Sequence, residues 1–107
     1  MVRVRVTRDA AGDVVGLSAR GHAGFAAHGS DIVCAAVSAI LETALMGIEA
    51  FSPEGQHQQL DDGLLRWQGR PTPATRTIWG TALLGLGSIA RDHPRHLEVK
   101  EIGGDGA

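Results

Sequence analysis

Between residues 31 and 50 the polar positions Asp31, Cys34, Ser38, Glu42 and Glu49 recur at spacings of three, four, four and seven, which is one stripe of an α-helix. Nearly everything else there is apolar, including Ile32, Val33, Val37, Ile40, Leu41, Ala44, Leu45 and Ile48. A helix apolar over most of its circumference cannot lie on one sheet with its back to water. It must be sandwiched within the domain or covered by another subunit. Ser30 or Asp31 can cap its start, and Ser52-Pro53-Glu54-Gly55 stops it.

The flanking segments supply a sheet. Val2, Val4 and Val6 alternate with Arg3, Arg5 and Thr7, the period of a half-buried strand. Gly12-Asp13 turns the chain into a returning strand, 14–21. Gln56–Asp61 and Leu64–Gly69 flank Asp62-Gly63, a second hairpin signal. Thr72-Pro73 reads as an N-cap followed by proline at the first helical position, opening a helix to about Asp92. Gly80, Gly85 and Gly87 within it point to close packing. Leu97, Val99 and Ile102 mark a short last strand before a frayed tail, 103–107. The expected fold is α+β, one two-layer domain over residues 1–107, β-β-α-β-β-α-β with an antiparallel or mixed sheet and two helices.

One domain is all that 107 residues allow. A net charge of −2 argues against a broad nucleic-acid or anionic-membrane surface, because such binding rests on excess Lys and Arg. The single cysteine cannot form an internal disulfide, and the N-terminus lacks the apolar run of a secretory signal. The reading is a cytoplasmic, reduced protein. Interrupted by polar residues, no segment is expected to supply the roughly 20 consecutive apolar residues of a membrane span.

The chemistry lies in the glycine-rich segment before the apolar helix. Gly21-His22-Ala23-Gly24 follows a strand end, and Cys34 stands near the helix start. A thiolate, not a thiol, is the nucleophile, and helix-start amides with the helix dipole favour it. With Asp31 as N-cap, Cys34 is the third helical residue, and His22 can serve as its base and later protonate a leaving amine. Against this, a cysteine on an apolar helix often only packs, and a histidine in a glycine loop is often only solvated. Asp31 either caps the helix or orients His22; Ser38 either lines a substrate groove or bonds the preceding turn. Metal binding by His22, His28, Asp31 and Cys34 lacks the paired spacing of zinc sites, so no metal or cofactor is expected. His93 and His96 read as a polar cap. The glycines at 21, 24 and 29 leading to a helix start also resemble an anion-binding nest, so a non-enzymatic anion- or peptide-binding module, which the resemblance given next extends to a ribosome-assembly binder, is the alternative.

Gly21-His22-Ala23-Gly24 together with Asp31-Ile32-Val33-Cys34-Ala35-Ala36-Val37-Ser38 resembles the ribosomal-processing cysteine protease family, Prp. The resemblance implies a cysteine endopeptidase with Cys34 as nucleophile and His22 as general base and acid, supported by Gly21, Gly24, Asp31 and Ser38. It implies as substrate the N-terminal extension of a large-subunit ribosomal protein, removed during ribosome assembly. It also implies a homodimer and a segment from His22 to Ser30 that shifts to admit the peptide; the charge balance, separately, leaves neither nucleic acid nor membrane as an expected direct partner.

Overall fold

The computed structural model describes residues 1–21, 30–61 and 64–103, with backbone alone at Ser30 and Asp31. The expected turn residues Asp62-Gly63 and positions 104–107 lie outside them. Seven elements follow in order: β1 (Val2–Arg8), β2 (Val14–Arg20), α1 (Ser30–Phe51), β3 (Gln56–Asp61), β4 (Leu64–Gly69), α2 (Pro73–Asp92) and β5 (Leu97–Gly103). This is the expected β-β-α-β-β-α-β order. The sheet is mixed, β3-β4-β2-β1-β5, with β1 parallel to β5 and every other pair antiparallel.

Strand directions make each helix a crossover. α1 links parallel strands β2 and β3 across β4, and α2 links β4 and β5 across β2 and β1. Both helices cover one face of the sheet. Val2, Val4 and Val6 of β1 meet Val33, Val37, Leu41 and Ile48 of α1 and Trp79 and Leu86 of α2 in one core. Trp67 of β4 and Trp79 of α2 pack at its centre with ring centroids 5.0 Å apart. The helices touch through small residues: a Cβ on Gly85 would lie 3.2 Å from Ile40 Cδ1, and one on Gly47 would lie 3.4 Å from Ile78 Cδ1.

Several expectations change. Gly80 has no neighbour within 4 Å of a Cβ position and Gly87 meets only Arg91, so close packing accounts for Gly85 alone. Gly103 is not tail; it pairs with Arg8 as the last residue of β5, at φ +90° against the Arg8 carbonyl. The span Ile32–Phe51, 20 residues with mean hydropathy 1.8, is long and apolar enough to cross a membrane, contrary to the expectation that no segment is. Here it is a core helix, its Val33, Val37, Leu41, Ala44, Leu45 and Ile48 buried.

The second helix starts as expected. The Thr72 side chain accepts from Thr75 N–H at 3.1 Å and the Thr75 hydroxyl accepts from Thr72 N–H at 2.8 Å, a reciprocal cap with Pro73 behind it. At the other end His93 N–H donates to Ile89 O at 2.8 Å and His96 N–H to His93 O at 2.9 Å, so the two histidines close the helix as the polar cap expected.

Candidate active site

The ladder β1–β2 pairs Arg3 with Arg20, which puts Gly21 beside Val2 and Met1 at one end of the sheet. Gly21 has φ +99°, and a Cβ there would run into the Met1 carbonyl oxygen. Only glycine combines that backbone turn with that approach. Thus Gly21 sets the direction in which the chain leaves β2 toward His22. His22 and Gly24 lie outside the described residues.

The chain returns as α1, which starts at Ser30, two residues before Ile32, the first helical residue if Asp31 were its cap. Asp31 therefore lies within the first turn, and its side chain is outside the described residues. Cys34 becomes the fifth helical residue, not the third. At that depth an amide is engaged with the carbonyl four residues back, so the orphan amides of the helix start precede the thiol rather than surround it. The field of the helix end still acts across one turn.

Cys34 and Ser38 are both half-buried, one turn apart, at the margin of the buried stripe formed by Val33, Val37 and Leu41. At 100° per residue Cys34 lies about 120° round the helix from Ile40, which faces α2. The thiol thus occupies the flank of α1 turned away from α2, the flank that overhangs β4 and β3. The same flank carries exposed Glu42 and Glu49. Toward the C-terminal end of α1 it walls a cavity of about 240 Å³ with Leu45, Glu49, Gln56, Gln58 and Trp67 among its lining. The polar stripe in the sequence locates this flank, but which strands lie beneath it follows only from the sheet order.

Gly21 follows β2, and Cys34 and Ser38 stand one turn apart near the start of the helix that comes next; the segment joining them lies outside the described residues. Among the described residues no three His, Cys, Asp or Glu side chains converge as metal ligands. What the described residues offer is a half-buried thiol near a helix start.

Comparison with known proteins agrees. The family model described as cysteine protease Prp matches residues 1–98. The chain is 33% identical over 85 residues to the ribosomal processing cysteine protease Prp of Mycoplasma genitalium, covering 79% of this chain and 86% of that one. It is 34% identical over 85 residues to the Mycoplasma pneumoniae protein of the same name, covering 79% and 85%. Its fold matches the crystal structure of the ribosomal processing protease Prp from S. aureus in complex with a substrate peptide, with a TM-score of 0.86, 25% identity and coverage of 95% and 100%. A five-stranded mixed sheet under two helices, a lone thiol on the first of them and these matches lead to one conclusion: the chain belongs to the Prp family of cysteine proteases.

Proposed function

We propose that the chain removes the N-terminal extension of a large-subunit ribosomal protein during ribosome assembly, with Cys34 as nucleophile and His22 as general base and acid. The observation that supports this most is Cys34 itself, half-buried near the start of α1, the helix that comes after β2 and Gly21 in the chain. His22 takes the thiol proton as Sγ attacks the scissile carbonyl carbon. Amides of the first helical turn face the oxyanion that develops. The C–N bond breaks as His22 returns the proton to the leaving amine, leaving a thioester on Cys34. Water, deprotonated by His22, attacks the thioester; the acid product departs and the thiol is restored. Asp31 and Ser38 support the pair from the same stripe of α1, and Gly24 lets the intervening segment bend.

The protein acts as a homodimer in the cytoplasm, where its substrate is made and its thiol stays reduced. Ile32, Met46 and Phe51 of α1 and Leu84 of α2 are 74, 63, 77 and 76% exposed, far more apolar surface than two helices leave to water. Between the helices runs a groove of about 570 Å³ lined by Ala39, Thr43, Gly47, Thr81 and Gly85, small residues that let another helix approach closely. A second copy presents the same surface, so the contact is self-complementary.

The test is cleavage of a peptide spanning the extension and the first residues of the mature ribosomal protein, followed by mass spectrometry. The wild-type protein is expected to cut once, and Cys34→Ala and His22→Ala each to lose at least a thousandfold in kcat/KM with unchanged circular dichroism. Cleavage that survives Cys34→Ala overturns the assignment.

A further inference from the structure

The face of the sheet away from the helices is uncovered, and its charge is not that of the chain. Cross-strand partners share a face, so the ladder order places Arg3, Arg5, Arg20, Arg66 and Lys100 together on it, all exposed. These are half of the chain's 10 lysines and arginines. Only two acids join them, Glu98 and Asp61, at opposite edges. Both are engaged: Arg3 Nε lies 3.8 Å from Glu98, and the Gln59 amide donates to Asp61 at 2.7 Å. The remaining cations, Arg5, Arg20, Arg66 and Lys100, form no salt bridge among the described residues.

The register sharpens this into a line. Gln59, Arg66, Ser18, Arg5 and Lys100 are successive cross-strand partners, a row that crosses all five strands without an acid. At about 4.8 Å per strand, Arg66 and Lys100 stand about 14 Å apart with Arg5 between them. Beside the row, Gly16 has no side chain and opens a depression of about 270 Å³ flanked by Arg5, Arg66, Thr7, Ser18 and Gln68. Two arginines and two hydroxyls round a hollow make a phosphate-sized seat.

We propose that this open face docks the phosphate backbone of double-stranded RNA, a role separate from proteolysis and independent of it. Charge complementarity selects a polyanion. The face carries no Phe, Trp or Tyr, so it offers the unpaired bases of a single strand only guanidinium planes and the His57 imidazole at one edge, while its row of cations suits the paired backbone of a duplex. It is a sheet surface with no projecting helix, so it cannot enter a major groove. A-form RNA offers a wide, shallow minor groove with 2′-hydroxyls and flanking phosphates, which Ser18, Thr7, Gln59 and Gln68 can bond between the cations. The overall charge of −2 conceals this face because the acids lie mostly on the helices, turns and strand ends.

The test is fluorescence anisotropy of a labelled 20-base-pair RNA duplex of mixed sequence with the full chain, titrated from 25 to 200 mM KCl. Three or four phosphate contacts predict saturable binding whose log affinity falls with log salt at a slope of about −3. The double variant Arg5→Glu/Arg66→Glu is expected to weaken binding at least tenfold and flatten the slope, with peptide cleavage unchanged. Arg91→Glu/Arg95→Glu, which alters net charge equally off this face, is expected to bind like the wild type. Absence of saturable binding, equal weakening by both double variants, or equal binding of a DNA duplex or of poly-glutamate overturns the proposal.

Discussion

At Gly21 a single missing methyl group decides how the chain leaves β2. The positive φ and the neighbouring Met1 carbonyl leave no room for a side chain, so Gly21→Ala must move either the β1–β2 ladder or the path toward His22. Strained backbone of this kind costs about 1–3 kcal/mol. The expected outcome is a lowered melting temperature together with at least a tenfold fall in kcat/KM, read by calorimetry and peptide cleavage on the same sample. A retained melting temperature with full activity would show that the segment entering His22 tolerates the shift. The sequence marks Gly21 as a strand end, but its close approach to Met1 is a cross-strand contact that no local pattern reveals. Cys34 is similar: its stripe was legible, whereas its depth in the helix depended on a start at Ser30 rather than Ile32. Ser30 and Asp31 both read as caps in the sequence, yet both lie inside the helix, and helix ends are set by more than local capping preference.

Among the elements, α1 carries two opposed duties. One flank holds Cys34 and Ser38, and the opposite flank joins α2 in the small-residue groove. Ala39 is exposed on the groove side, so Ala39→Arg should leave the core and the thiol untouched while filling the groove with a charge. The expected result is a halved mass by light scattering at unchanged helicity. A mass that stays at two chains would move the dimer contact elsewhere. The apolar run announced in the sequence that one sheet could not cover α1, and left open whether the domain or a partner did so. The fold answers for the buried stripe and leaves Ile32, Met46 and Phe51 outside it. Strand positions and both helix ends followed closely from alternation, turn pairs and the Thr72-Pro73 cap. Strand order did not, because hairpins specify local pairs and say nothing of which edge a later strand joins.

For the whole molecule, β1 is the hinge of the topology. It is first in sequence but internal in the sheet, and its parallel partner β5 is last, pairing Val2 with Leu97 through Arg8 with Gly103. Leu97 is 1% exposed and belongs to the central core. A chain ending at residue 96 therefore loses the contact that closes one side of β1, and is expected to show neither a cooperative melt nor peptide cleavage by calorimetry and assay. A cooperative melt from that chain would show that α2 alone suffices to hold β1. The same topology arranges charge in a way net charge does not describe: alternation in each strand is visible in the sequence, but only the ladder gathers Arg66, Arg5 and Lys100 into one row.

The packing of Met1 against Gly21 also bears on how this protein should be handled. Any fusion or affinity tag joined ahead of Met1 emerges beside Gly21, where added bulk meets the turn that follows β2. Gly103 ends β5 next to Arg8, at the opposite end of the sheet. Melting temperatures measured with a tag at each of these two ends therefore compare a molecule crowded at Gly21 with one that is not.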